Sequence, residues 1–197
     1  LLTYLLTYLL TYSPLLTYCG SDGQMLHVLT SEQCVHVEYV DAGWTVDSVL
    51  QRVANADPPF HALIDTGALI TGLGNKGVAK RLLELGLGRW CDGVVFLDEL
   101  DEKVILVKAT GRVLKLSQCG IAVENRFAFY DQIHTTGMDI KHTLAARAAL
   151  TLGKDMVFRD FAQGAYRMRG IAKGQTISIF VIPEVQQLMA RQLAKAA

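Results

Sequence analysis

The sequence predicts an α/β protein in which a mostly parallel sheet carries helices on both faces and a small antiparallel hairpin insertion. Apolar, strand-forming segments alternate along the chain with segments of helical periodicity. Several strand segments are nearly continuous apolar runs, which is typical of strands buried on both faces of a parallel sheet. The hairpin is predicted because VILVK and RVLKL flank an Ala109-Thr110-Gly111 turn. At 197 residues the chain is long enough to bury the core of one such domain.

The first half of the chain supplies two predicted helices and three predicted strands. Residues 25–30 (MLHVLT) and 34–40 (CVHVEYV) have strand-rich composition, so both are predicted strands. Thr45 is expected to cap the helix TVDSVLQRVANA, which the Asp-Pro-Pro segment at 57–59 ends. A buried strand, HALIDTG, follows, and Asn75 is expected to cap the helix KGVAKRLLELG.

The second half continues the alternation. GVVFLDE, FAFYD and AALTL are predicted buried strands, and QTISIFVIP is the last strand. VFRDFAQGAYRMR and EVQQLMARQLAKAA are predicted helices. Asp65, Asp98 and Asp131 are each expected at a strand exit, which is the edge where open parallel sheets bind ligands.

A repeat precedes this pattern at the N-terminus. Residues 1–18 repeat the unit Leu-Leu-Thr-Tyr almost without error, and a microsatellite or a gene-model error is its simplest origin. The repeated Thr and Tyr and the interrupting Pro14 do not fit a membrane span, and the pattern of a signal peptide is missing. We expect residues 1–18 to be unstructured or artefactual, 19–59 to be an N-terminal extension, 60–185 to form the α/β domain and 186–197 to form a C-terminal helix.

Charge and cysteine content limit the classes of function. Lys plus Arg and Asp plus Glu each number 19, so no overall field draws the chain to nucleic acid or to a membrane. Nucleic-acid binding stays open because basic residues are locally enriched between 141 and 173, although a solvated helix face explains them equally well. The four cysteines show no zinc-type spacing and fit a reducing compartment, so we expect an intracellular protein, cytoplasmic or nuclear.

Three familiar motifs are incomplete in this chain. GVVFLDE has the form of a Walker B strand, but no GxxxxGK[ST] phosphate loop occurs. IDTG at 64–67 has the form of an aspartic protease motif, but such an enzyme needs two of these carboxylates and the chain has no second copy. The segment is better explained as a strand exit. Cys91 with His134, or Cys119 with His142, would make a Cys–His pair, but neither cysteine has a context that favours a thiolate.

The segments TTGMDIK and QGAYRMRG carry the candidate site. Arg167 and Arg169 have planar donor forks that match phosphate oxygens. Gly137 and Asp139 lie in a turn of the kind that meets a ribose or a phosphate, and Gln163 shares a helix face with Arg167. A surface helix with ordinary salt bridges is the alternative to this nucleotide site.

These two segments resemble motifs V and VI in the second RecA-like lobe of superfamily 2 helicases. On that resemblance Gly137 and Asp139 fall on motif V, while Gln163 and Arg167 fall on the first residue and the first arginine of motif VI. Tyr166 stands where the motif has Gly, and Arg169 stands one place before the second arginine. The arginine-finger role that the resemblance implies is therefore open between Arg167 and Arg169.

A longer resemblance covers residues 60–185. ALIDTGALITGLGNK, GVVFLD, YDQIHTTGMDIKH, ALTLGKDM and RDFAQGAYRMRGIAKGQT are similar to the core of very large eukaryotic ubiquitin thioesterase, or ubiquitinyl hydrolase-like, proteins built of domains of unknown function. That resemblance implies a thiol-dependent deubiquitinase acting on ubiquitin conjugates. We expect this chain to be a fragment that supplies the nucleotide-sensing lobe, partnered by an upstream N-terminal lobe of the same protein.

No cofactor is expected on this fragment alone, whereas the full-length protein is expected to bind ATP with Mg. Two alternatives stay open. One is a RecA-like scaffold that has kept the fold without catalysis, and the other is a cysteine deubiquitinase whose nucleophile lies outside this fragment.

Overall fold

One eight-stranded sheet organises the computed structural model, which describes residues 21–133 and 139–196. The strands are β1 (Val35–Tyr39), β2 (Ala62–Ile64), β3 (Gly93–Leu97), β4 (Lys103–Val107), β5 (Val113–Lys115), β6 (Arg126–Tyr130), β7 (Arg147–Thr151) and β8 (Thr176–Val181). The α-helices are α1 (Ser21–Leu29), α2 (Val46–Ala54), α3 (Asn75–Glu84), α4 (Phe158–Ala165) and α5 (Pro183–Ala196). Short 3₁₀ helices span Leu87–Arg89, Leu116–Gln118 and Val123–Asn125.

The predicted fold class is confirmed. The strand order is β1-β8-β7-β2-β6-β3-β4-β5, and every neighbouring pair from β1 to β3 is parallel. β4 is antiparallel to both β3 and β5, which is the predicted hairpin insertion. Every residue of β2 and β3 is buried, as the continuous apolar runs predicted.

Helices cover both faces because the chain crosses the sheet in two directions. From β2 it passes through α3 to β3 on one side, and from β7 it passes through α4 to β8 on the other. Since parallel crossovers are right-handed, these opposite directions place α3 and α4 on opposite faces. α2 packs beside α3, and α1 packs beside α4. The arrangement is consistent with a RecA-like α/β domain.

The segment predicted as an N-terminal extension takes part in this sheet. β1 pairs along its whole length with β8, from Val35 opposite Ile177 to Tyr39 opposite Val181. The Thr45 cap is also confirmed, because Thr45 Oγ1 accepts a hydrogen bond from Ser48 N at 3.1 Å while Ser48 Oγ accepts one from Thr45 N. The sheet therefore begins before residue 60.

Two local predictions are wrong. Residues 25–30 were predicted as a strand but belong mainly to α1, because a short apolar run fits a helix or a strand equally well. Asn75 is the first residue of α3, and Gly74 is the N-cap. The Asn75 amide instead donates to Leu97 O at 3.0 Å and to Asp131 Oδ2 at 2.7 Å, and so ties the ends of β3 and β6 together.

Candidate functional site

The carboxyl edge of the sheet carries the aspartates that the sequence placed there. Asp65, Asp98 and Asp131 directly follow β2, β3 and β6. The strand order reverses between the neighbouring strands β2 and β7. From β2 the chain continues toward the β5 edge of the sheet, and from β7 it continues toward the β1 edge. Open α/β sheets commonly bind ligands at such a switch point.

Asp65 is a structural residue at this switch point. Asp65 is 2% exposed, and its carboxylate accepts hydrogen bonds from Leu69 N and Ile70 N, both at 2.9 Å, and from Thr151 Oγ1 at 2.6 Å. Burial raises the pKa of Asp65, and these three hydrogen bonds oppose the rise. Thr151 Oγ1 also accepts from Gly67 N at 3.0 Å. This clasp joins the ends of β2 and β7, in keeping with the interpretation of IDTG as a strand exit.

A polar crevice of about 390 Å³ opens beside the clasp. Gln163 is one of its lining residues, and five others are Thr66, Gly67, Gly153, Lys154 and Asp160. The two glycines let the backbones touch, because a Cβ on Gly67 would lie 2.5 Å from Gly153 N. Thr66, Gly153 and Lys154 could not be assigned to one site from sequence, because only the strand order brings these two loops together.

The predicted arginines and Asp139 converge. Arg169 Nε donates to Asp139 Oδ1 at 2.7 Å, and Arg167 Nη1 lies 3.9 Å from the same oxygen. Lys103 Nζ donates to the backbone carbonyl of Asp139 at 2.6 Å. Arg169 holds the pKa of Asp139 below its ordinary value, and Arg167 and Lys103 add to that effect. Three cationic side chains thus lie around Asp139, two near its carboxylate and one at its backbone carbonyl.

The two arginines differ in exposure. The Arg167 side chain is 8% exposed, whereas those of Arg169 and Asp139 are 59% and 61% exposed. Helix α4 ends at Ala165, earlier than predicted, so both arginines lie in the turns that follow it. Arg167 Nε reaches back to the Gln163 carbonyl oxygen at 3.4 Å. Gln163 therefore contacts Arg167 through its backbone and lines the switch-point crevice, while Asp139 lines a separate cleft of about 740 Å³.

A buried amide that was not predicted from sequence joins the two segments of the cluster. Gln175 is 6% exposed; its Oε1 accepts from Gly170 N at 2.7 Å and its Nε2 donates to Thr143 O at 2.8 Å. It links the turn next to Arg169 with the segment that follows Asp139. Its only sequence signal is its place at the end of the RDFAQGAYRMRGIAKGQT segment.

The cysteine candidates lack the environment of a nucleophile. Cys91 is fully buried, its Sγ donates to Gly93 O at 3.0 Å, and burial raises its pKa to about 11. His142, the suggested partner of Cys119, shares a 2.9 Å hydrogen bond between its Nε2 and the Tyr130 hydroxyl. Burial lowers the pKa of His142 to about 4, which makes it a poor general base near neutral pH.

Two candidates, Gly137 and His134, lie outside the described residues. Across the described part of the chain, no helix is both long enough and apolar enough to cross a membrane. Comparisons with family models, with curated proteins and with solved structures found no match to this chain.

Proposed function

We propose that this chain is the nucleotide-sensing second lobe of a RecA-like module in an intracellular ubiquitinyl hydrolase-like protein. The observation that carries the proposal is the convergence of Arg167 and Arg169 on Asp139. Arginine forks that already gather around one anionic group can gather around the oxygens of a phosphate.

The surroundings of the cluster support a phosphate ligand. Arg167 and Arg169 lie near the Asp139 carboxylate and Lys103 binds the Asp139 backbone carbonyl, so the cluster keeps a positive balance. The adjoining cleft of about 740 Å³ is also lined by Lys141, and its volume is in the range of small-molecule sites. In the proposed site Arg167 and Arg169 meet phosphates, Gly137 and Asp139 shape the ribose side, and Gln163 orients Arg167.

ATP with Mg is proposed to bind jointly with an upstream N-terminal lobe of the same protein. The sequence contains no GxxxxGK[ST] segment, so the loop that cradles the phosphates would come from that lobe. For the same reason we expect no ATP turnover by this chain alone. A measurable ATPase rate that Arg167→Ala abolishes would contradict this expectation.

The thiol hydrolase activity toward ubiquitin conjugates is proposed to belong to residues outside this chain. Cys91 is buried with a raised pKa, and His142 is bound to Tyr130 with a lowered pKa. Neither residue supports a Cys–His nucleophile here.

A scaffold without catalysis is the second candidate. The observation that favours it is the internal pairing of the arginines, with Arg167 nearly buried and both guanidinium groups near Asp139. On this alternative the cluster joins two segments of the domain and has no external ligand.

The two candidates differ in how Arg169 responds to nucleotide. We expect Mg-ATP, added to this chain joined to its upstream lobe, to shift the Arg169 Nε–Hε resonance in an NMR titration and to bind more weakly to the Arg169→Ala variant. The matched control is Arg159→Ala, which removes an exposed arginine from the first turn of α4. Equal affinities for the Arg169→Ala variant and the wild-type chain would reject the nucleotide site and favour the scaffold.

A further inference from the structure

We propose that Asp139 is an internal competitor for the phosphate of the ligand, so that the unbound lobe holds its arginines in a self-paired state. The inference rests on the proposed function and assigns Asp139 a second role beside the ribose. Phosphate binding would then be an exchange, in which ligand oxygens replace the carboxylate at the guanidinium groups.

The geometry supports the exchange because one oxygen carries both contacts. Asp139 Oδ1 lies 2.7 Å from Arg169 Nε and 3.9 Å from Arg167 Nη1. Carboxylate and phosphate oxygens occupy the same positions on an arginine fork. A phosphate therefore cannot bind between these arginines until the Asp139 carboxylate has moved away.

The carboxylate is free to leave, whereas Arg167 is not. The Asp139 and Arg169 side chains are both more than half exposed, and exposed ion pairs are weak and screened by salt. Arg167 is nearly buried and reaches the Gln163 carbonyl oxygen, so it is held in place for an incoming ligand. Lys103 holds the Asp139 backbone rather than its carboxylate, so the carboxylate can rotate away while the backbone stays in place.

The released carboxylate has a use in the proposed site. A carboxylate accepts hydrogen bonds from ribose hydroxyl groups, which is the role proposed for Asp139 in the bound state. The ligand class is therefore a nucleoside polyphosphate. Its phosphates would replace the Asp139 carboxylate at the arginines, and its ribose hydroxyl groups would then donate hydrogen bonds to that carboxylate. Inorganic pyrophosphate would meet the first requirement alone.

The experiment uses this chain joined to its upstream lobe, and measures the affinity of that protein for inorganic pyrophosphate and for Mg-ATP by titration calorimetry. In Asp139→Asn the competing charge is absent, and we expect pyrophosphate to bind up to about fivefold more tightly than to the wild-type chain. Mg-ATP should gain less, because the uncharged amide oxygen of Asn is a weaker acceptor for the ribose hydroxyl groups than the carboxylate. Asp139→Glu, which keeps the charge, should stay near the wild-type affinity.

The matched control is Asp41→Asn, which removes an exposed charge just after β1, at the sheet edge far from β4. Circular dichroism and thermal unfolding would establish that each variant is folded, and Asp139→Ser provides a second neutral variant. One outcome is that the wild-type chain binds Mg-ATP through Arg169 but Asp139→Asn binds pyrophosphate no more tightly than the wild-type chain does. That outcome would reject the role of Asp139 as a competitor and leave the proposed nucleotide site in place. If neither ligand binds any of these chains, the proposed function and the competitor both fail.

Discussion

Tyr130, which is buried, and His142, which is partly buried, form a polar pair that affects the pH response of the domain. Their hydrogen bond joins the last residue of β6 to the connection that leads to β7, and the two rings lie 6.0 Å apart. Burial raises the pKa of Tyr130 and lowers that of His142 to about 4, with His61 adding to the decrease for His142. Folding therefore favours the neutral form of both side chains.

The shift at His142 predicts acid sensitivity of a definite sign. Since the folded-state pKa of about 4 lies below the ordinary value of 6.5, the unfolded chain binds more protons between these two values. The stabilisation is complete above pH 6.5 and is lost as the pH falls toward 4, by at most about 3 kcal/mol. His61 changes in the same direction.

We expect His142→Gln to flatten the dependence of the unfolding free energy on pH in this window, measured by urea denaturation at several pH values. His36→Gln, an exposed histidine on edge strand β1, is the control. A slope in His142→Gln equal to that of the wild-type chain would show that His142 is not the group responsible.

Single residues also show where sequence reasoning succeeds and where it stops. The nearness of Arg167, Arg169 and Asp139 could be predicted, because charged residues in two short segments have few ways to pair at neighbouring turns. Gln175 could not be predicted, since the Thr143 carbonyl that it binds is 32 residues away and becomes its neighbour only through the tertiary fold.

Among the elements, helix α2 has the start that its sequence encodes. Thr45 and Ser48 form a reciprocal capping box, in which each side chain accepts from the backbone N–H of the other. Thr45→Ala leaves Ser48 N without this acceptor, so we expect the unfolding free energy to fall by about 1 kcal/mol. Thr45→Ser keeps the hydroxyl and should restore most of the loss in chemical denaturation. A loss as large in Thr45→Ser would assign the effect to the Thr45 methyl group.

Element types followed from sequence wherever local and tertiary preferences agreed. β3 and β8 are long apolar runs with β-branched residues, and both were predicted. The MLHVLT run has similar composition, but it packs as part of α1 beside α4. Asn75 is a good cap by type, but its amide binds Asp131 and the Leu97 carbonyl, and such tertiary contacts are not encoded locally.

Across the whole molecule, the switch point joins elements that are distant in the chain. β2 and β7 are adjacent and parallel, and the Asp65–Thr151 hydrogen bond connects residues 86 positions apart. α4 closes over this junction, because Gly164 packs against Thr66 and Leu150. The segment after β2 therefore positions α4, and α4 leads directly into Arg167. This contact links the edge of the sheet to the arginine cluster.

This contact predicts a stability effect at Gly164. A Cβ there would overlap Thr66 Oγ1, whose short, 6% exposed side chain has little room to move. We expect Gly164→Ala to lower the unfolding free energy by about 1–3 kcal/mol, because α4 must shift away from the sheet. Gly23→Ala in α1 is the matched control, since a Cβ at that position meets nothing within 4 Å.

A double-mutant cycle tests the Gly164–Thr66 contact directly. Adding Thr66→Ala to Gly164→Ala removes the overlapping atoms, so the double variant should recover part of the lost unfolding free energy. Additive effects of Gly164→Ala and Thr66→Ala would mean that α4 is not seated on β2 through this pair.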